Sequence, residues 1–355
     1  MELLENCTLC PRECKVNRLK EKKGRCHADA SIKVARAALH MWEEPCISGE
    51  EGSGAVFFSG CSLGCIYCQN RAISGGQTGE IITEERLAEI FLELQEQKAN
   101  NINLVTAGQY VPQVCKALQL AKNQRLTIPV VYNSSGYEKP ETLAMLEGLV
   151  DVYLPDFKYM NPETASDYSH APDYPEVAKA AIAEMVRQCP ELVLERRTGS
   201  TPFQVRRALS GGNGECSCQV GIIKPYPADC EEACVHEETA KADSEYPPYE
   251  MIKKGVIVRH LLLPGHVKEA KSIVKYLHET YGDQIYISIM NQYTPVENVA
   301  GDKLLGRKVT KREYARLLDY AAEIGVTRGF YQEGDTAMDR FIPSFDCQGV
   351  LPEIE

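Results

Sequence analysis

An apolar run, Ala55 to Ser59, stops at a glycine and is followed at once by three cysteines, Cys61, Cys65 and Cys68, in C-x3-C-x2-C spacing. A closed structural zinc site or a ferredoxin-type iron-sulfur cluster uses four ligands, so three thiolates at tight spacing point to a metal centre with an open position. The loop carries Gly60 and Gly64 and leaves a predicted strand, so all three sulfurs can curl around one group at the strand's C-terminal end. In a barrel of alternating strands and helices, that end is where chemistry sits. On spacing alone, in a chain with fifteen cysteines, part of a zinc site is the competing reading.

The rest of the chain alternates as such a barrel requires. Thr83 is placed to cap a helix whose apolar positions Leu87, Ile90, Phe91 and Leu94 share one face. The strand Ile102 to Thr106 runs into Ala107-Gly108-Gln109, and Pro112 opens the next helix. Ile128 to Tyr132 is a third strand, ending in Asn133-Ser134-Ser135-Gly136, and a helix from about Lys139 to Leu149 returns the chain. Val150 to Leu154 is the fourth strand, and Asp156 and Lys158 directly beyond it are two residues apart, so both side chains face one way. Aimed together into a barrel mouth they form a binding pair; on the rim they would be an ion pair of little consequence. An alanine-rich helix from about Pro175 to Gln188 precedes the strand Gly255 to Leu263, whose apolar run suits burial on both faces of a parallel sheet. Arg259 and His260 fall on its opposite sides, with His260 expected outside the site. A helix bearing Val267, Ala270, Ile273, Val274 and Leu277, a strand Ile285 to Met290 and a helix Lys311 to Glu323 complete six units. The predicted fold class is α/β, a partial (βα)6 barrel whose side opening admits a large substrate while its interior excludes water.

Two further cysteine sets flank this core. Cys7, Cys10, Cys14 and Cys26 form a complete four-thiolate set among basic residues, suited either to zinc or to an auxiliary iron-sulfur cluster. Residues 199 to 250 break the helix-strand rhythm and hold Cys216, Cys218, Cys230 and Cys234, with His236 nearby, as a speculative third site or as incidental thiols of a lid. The stretch from Asp229 to Glu250 carries eight acids against one lysine, a solvated rather than a packed composition. The expected organisation is a cysteine-rich segment at 1–50, the barrel at 51–335 with the insertion 199–250, and a tail at 336–355.

The net charge of -11 argues against a nucleic-acid surface, which needs clustered basic residues. The N-terminal residues lack the basic start and apolar core of a signal peptide, and no stretch is long and apolar enough to span a bilayer. The expectation is a cytoplasmic protein without membrane or nucleic-acid partners, in a reducing compartment where clustered cysteines bind metal rather than form disulfides.

The segment Phe57-Phe58-Ser59-Gly60-Cys61-Ser62-Leu63-Gly64-Cys65-Ile66-Tyr67-Cys68-Gln69-Asn70 resembles the cluster loop of radical S-adenosylmethionine (radical SAM) enzymes, with Tyr67 at the aromatic position before the third cysteine. It is most similar to the branch containing the pyruvate formate-lyase-activating enzyme, and the Cys7 to Cys26 opening is similar to that of an uncharacterised subgroup of that branch. The resemblance implies that Cys61, Cys65 and Cys68 hold a 4Fe-4S cluster whose fourth iron is chelated by the methionine moiety of SAM. It implies reductive cleavage to a 5'-deoxyadenosyl radical that abstracts a hydrogen, an oxidoreductase activity under anaerobic conditions, and a low-potential electron donor of flavodoxin or ferredoxin type. Glycyl-radical activation of a partner enzyme is the leading substrate class, with radical modification of a peptide or small molecule as the alternative. The SAM contacts it implies are Tyr67, Thr106, Gly108, Asn133, Asp156, Lys158 and Arg259. One stretch departs from the family: Thr106-Ala107-Gly108-Gln109 stands where Gly-Gly-Glu is usual, which keeps one glycine and no acid and leaves Gln109 as a neutral replacement. The reading from another class is a non-catalytic iron-sulfur or zinc carrier, for which the cysteines alone would suffice.

Overall fold

Short runs rich in valine, isoleucine and aromatic residues pair into one sheet in the computed structural model of the chain, which describes residues 2–197, 219–222, 249–333 and 343–352. The strands are β1 (Ile32–His40), β2 (Ser53–Phe58), β3 (Glu80–Ile82), β4 (Ile102–Val105), β5 (Val130–Ser134), β6 (Val152–Pro155), β7 (Val193–Arg197), β8 (Gln219–Ile222), β9 (Tyr249–Leu261), β10 (Tyr286–Met290) and β11 (Gly329–Glu333). Their order is β3-β1-β2-β4-β5-β6-β9-β10-β11-β8, with β7 paired to β9 off this path. Every pairing from β2 to β11 along that order is parallel. The flanking β1, β3 and β8 pair antiparallel.

Parallel neighbours need crossovers, and amphipathic helices supply them. Thr83 caps α1 (Glu84–Glu96) by accepting from the Arg86 amide, and the buried face is Leu87, Ala88, Ile90, Phe91 and Leu94. Pro112 sits in the first turn of α2 (Val111–Asn123). The connection after β5 is only the short helix Pro140–Leu143 and a 3-10 turn, Ala144–Leu146, where the sequence led us to expect a helix to Leu149. The chain leaves helical geometry at Glu147, whose ψ is 127°, and Gly148 follows at φ 75°. Then follow α3 (Pro162–Ser169), α4 (Tyr174–Gln188), α5 (Val267–Tyr281) and α6 (Lys311–Glu323), the last opened by a reciprocal Thr310–Glu313 capping box.

All six expected strands are present, and β11 adds a seventh parallel one. Its Gly-Phe-Tyr-Gln-Glu sequence has no continuous apolar run to announce it. Phe57 of β2 and Gln332 of β11 line the same cavity, so the parallel array curves around it while the two ends of the strand order remain unpaired with each other among the described residues. This is a partial barrel.

On either side of residue 50, β1 and β2 are hydrogen-bonded to each other in one sheet. The tail packs onto β1 in turn: the Cys347 amide donates to Ala35 O, the Ala37 amide to Gln348 O, and Arg36 pairs with Asp346 at 2.7 Å. Cys216, Cys218, Cys230, Cys234 and His236 lie outside the described residues. No helix among the described residues is long and apolar enough to cross a membrane.

Candidate active site

The loop after β2 is shaped by its glycines. Gly60 and Gly64 have φ of 91° and 67°, and a Cβ on Gly60 would lie 2.4 Å from Cys26 O. No side chain fits there. The loop's main chain is tied on several sides: Gly60 N donates to Ile73 O at 2.8 Å, Cys61 N to Cys26 O at 3.2 Å and Ile66 N to Tyr168 O at 2.9 Å. The result is that Cys61, Cys65 and Cys68 all line one cavity of about 250 Å³ at the C-terminal ends of the parallel strands.

Opposite the thiols stands a buried set of charges. Lys158 Nζ pairs with Asp156 Oδ2 at 2.6 Å, and Arg259 Nε pairs with Asp156 Oδ1 at 3.1 Å. Arg259 also donates to Glu43 at 3.0 Å and to Asn133 Oδ1 at 2.6 Å. A guanidinium has five N–H donors, so two remain for a ligand. Burial alone would raise the Asp156 carboxyl, but Lys158 and Arg259 outweigh it and hold it below the usual carboxylate value. Burial would likewise lower Lys158, yet the Asp156 carboxylate keeps it above its ordinary value. Asp156 is thus an anion and Lys158 and Arg259 are cations. The pair is no rim ornament, since both partners are mostly buried and face the cavity.

Tyr67 closes one wall. Its hydroxyl accepts from Tyr159 at 2.7 Å, and its ring packs edge-on against Tyr159, Tyr168 and Tyr293. Thr106, at φ 60°, lines the cavity in a left-handed conformation rare for a β-branched residue.

Of the SAM contacts expected from the sequence, Tyr67, Thr106, Asn133, Asp156, Lys158 and Arg259 come together around this cavity, and Gly108 does not. Gly108 starts a short 3-10 turn and is packed against the Glu138 carboxylate, 2.8 Å from where its Cβ would be. Gln109 does not face the cavity either: its side-chain amide donates to Ser59 O, Gly60 O and Thr106 O at 2.8 to 3.1 Å. His260 is buried with Nδ1 against Phe157 O at 2.8 Å, and is not among the lining residues. Sequence reasoning missed Trp42, Glu43 and Glu44, which enter the cavity from the segment after β1. Burial raises both glutamates. Their only signal was a pair of acids just before Pro45, next to the chain's single tryptophan.

The donor set fits an iron-sulfur group. Burial, together with Cys65 and Cys68, pushes the Cys61 thiol up to about 12, and burial raises Cys68 as well. A cation bound among them would relieve that cost by taking thiolates. Among the described residues no three cysteine, histidine or carboxylate side chains are gathered closely enough for a single metal ion. Cysteines of a cluster each reach a different iron, so their sulfurs stand further apart than the ligands of one ion.

The N-terminal set is bordered by sulfur-directed donors: the Arg25 amide lies 3.2 Å from Cys14 Sγ, and Arg18 Nη1 lies 4.0 Å from Cys7 Sγ.

Residues 55–194 match the family model described as Radical SAM superfamily. Among curated proteins, an uncharacterized protein of Methanocaldococcus jannaschii is 32% identical over 184 residues, covering 50% of this chain and 52% of that protein. The chain spans about half the length of that curated relative. Among solved structures, a radical SAM methyltransferase from Sphaerobacter thermophilus aligns at TM-score 0.44 and 12% identity, over 79% of this chain and 67% of its own. Streptococcus suis SuiB bound to precursor peptide SuiA aligns at TM-score 0.39 and 9% identity, over 77% and 46% respectively.

Proposed function

We propose, from the match of residues 55–194 to the Radical SAM superfamily model, that this chain is an enzyme whose Cys61, Cys65 and Cys68 hold a 4Fe-4S cluster and whose cavity binds SAM. The observation that carries this reading is that the three thiols and the Asp156, Lys158 and Arg259 charges line one cavity. When bound, the cluster and SAM supply one-electron reductive cleavage of the sulfonium and hydrogen abstraction by the 5'-deoxyadenosyl radical. The chain's own residues do the rest. Lys158 and the two remaining Arg259 donors are placed for a carboxylate, and Asp156 and Asn133 for hydroxyls. Tyr67, Phe57 and Val105 give the cavity apolar walls that exclude water. A carrier protein would need the cysteines but not a charged set facing them.

Anaerobic reconstitution with iron and sulfide, followed by dithionite and SAM, tests the reading. Release of 5'-deoxyadenosine by the wild type and its loss in Cys65→Ser support it. A reconstituted chain that binds its cluster and releases none refutes it. For the substrate we propose a protein or peptide, glycyl-radical activation being the leading case; the two ends of the strand order are not paired with each other among the described residues, an arrangement that suits a large partner. For Cys7, Cys10, Cys14 and Cys26 we propose a second centre, an iron-sulfur cluster rather than a single zinc ion, because no three of these thiols are gathered closely enough for one ion; the N–H groups directed at two of the sulfurs favour it. Loss of metal equivalents in a Cys10→Ser/Cys14→Ser variant would support it.

A further inference from the structure

The segment between Cys7 and Cys26 does more than border the barrel. Arg12 reaches out of it and donates from all three guanidinium nitrogens: Nε to Ser62 O at 3.0 Å, Nη2 to Leu63 O at 3.2 Å and to Ser169 O at 2.8 Å, and Nη1 to His170 O. Two of these carbonyls belong to the loop between Cys61 and Cys65. The other two lie at the C-terminal end of α3, where carbonyls have no partner within the helix and the dipole favours a cation. The guanidinium also lies over the Tyr137 ring, 5.1 Å from its centre.

A second attachment runs in parallel. Cys26 O accepts from Cys61 N at 3.2 Å. Arg18, 1% exposed, donates to Gln109 O at 2.6 Å, and the Gln109 side chain holds Ser59 O and Gly60 O. The carbonyls of Ser59, Gly60, Ser62 and Leu63 are therefore each held by a side-chain donor. The loop needs such holding, because its two left-handed glycines make it intrinsically loose.

We propose that the N-terminal cysteine segment is a clasp on the loop that bears Cys61, Cys65 and Cys68, and that Arg12 is its principal positioning residue, fixing the loop before any cofactor binds. The assignment of that loop to a cluster rests on the function proposed above; the clasp itself rests on the contacts of Arg12. A planar fork can span four carbonyls at once, whereas a lysine ammonium has three donors on one atom and cannot. Arg12 touches no cavity-lining charge, so its effect is exerted through the loop's main chain.

The test compares Arg12→Ala and Arg12→Lys with Glu13→Ala. The last removes the Glu13–Lys139 ion pair at 2.8 Å, which tethers the same segment to the barrel without touching the loop. Hydrogen–deuterium exchange of the metal-free chain is followed over residues 59–68, with α5 as the internal reference for global unfolding. After reconstitution, iron retention against EDTA and the SAM KM and kcat for 5'-deoxyadenosine release are measured. Loss of several charge-assisted hydrogen bonds in Arg12→Ala is expected to speed exchange of 59–68 about tenfold with α5 unchanged, and to speed iron loss and raise the SAM KM by about the same factor. Arg12→Lys should fall between, and Glu13→Ala should match the wild type. Unchanged exchange and iron retention in Arg12→Ala would overturn the clasp, as would equal effects in Glu13→Ala. Should the wild type bind no cluster, the proposed function fails, and the exchange measurement still decides the clasp on its own.

Discussion

Tyr174 offers the sharpest test of how the charged wall of the cavity is held. The side chain is fully buried, and its hydroxyl meets three main-chain groups: it donates toward Ser135 O at 2.8 Å and Asp156 O at 3.0 Å, and accepts from Lys158 N at 2.9 Å. One phenol oxygen therefore joins the turn after β5 to the Asp156-Phe157-Lys158 stretch after β6. Tyr174→Phe keeps the ring and its stacking on Tyr137 at 6.0 Å while deleting that junction. It leaves the Lys158 N–H without an acceptor and two carbonyls without a donor in a site that water cannot readily replace. Leaving a buried polar group unsatisfied costs about 1–3 kcal/mol, so the total destabilisation should be about 3 kcal/mol. With a urea m-value of about 3 kcal/mol/M, the unfolding midpoint of the metal-free chain should fall by about 1 M at unchanged slope. Trp42, the single tryptophan, reports the cavity by fluorescence, and circular dichroism reports the sheet. Tyr132→Phe is the matched comparison, because the Tyr132 hydroxyl is buried without a protein partner and its removal should cost nothing. If Tyr174→Phe shifts the midpoint by less than about 0.2 M, or if Tyr132→Phe costs as much, the hydroxyl junction is not what holds this wall.

Gly136, at φ 74°, abuts the same stretch: a Cβ there would lie 2.2 Å from Asp156 O, so Gly136→Ala should destabilise by more than about 2 kcal/mol in the same urea titration. Thr106 holds a left-handed φ of 60°, and Thr106→Gly should raise the midpoint by an amount equivalent to about 1 kcal/mol. Burial alone pushes the Glu138 carboxyl up from 4.5 to about 8, and its charge in turn acts on the Cys10 and Tyr132 side chains. The folded state therefore favours the protonated acid: its contribution is full below pH 4.5 and is lost as pH rises through 8, at about 1.4 kcal/mol per pH unit between them. The stability of Glu138→Gln relative to wild type should grow from pH 5 to pH 9, and parallel pH curves would show that the site is not closed to water.

What the sequence disclosed and what it concealed divide along a physical line. The strand ends at Asp156 and Arg259 and the buried face of α1 follow local periodicities of 2 and 3.6, and the trio of cysteines is a short spacing within one loop, so one stretch of chain is enough to display each. Gln109 could not be placed that way. As a polar residue beyond a strand it looked like a ligand contact, but the left-handed Thr106 and the 3-10 turn at Gly108 swing its amide onto the carbonyls of Ser59 and Gly60. Only the tertiary neighbour reveals that use. Glu43 and Glu44 were hidden for the complementary reason. Acids next to a proline in a connecting segment look solvated, and their burial depends on Arg259, more than two hundred residues away, reaching across the barrel to Glu43. The same holds for Arg12, one of several basic residues among the N-terminal cysteines and indistinguishable from them until its four carbonyl partners are seen. In each case the long-range partner supplies the chemistry. The cavity therefore joins two kinds of information: a cysteine loop and strand ends written locally, and a surrounding of carboxylates and clasps that exists only once the sheet has curved far enough to bring β1, β9 and the N-terminal segment around the same space.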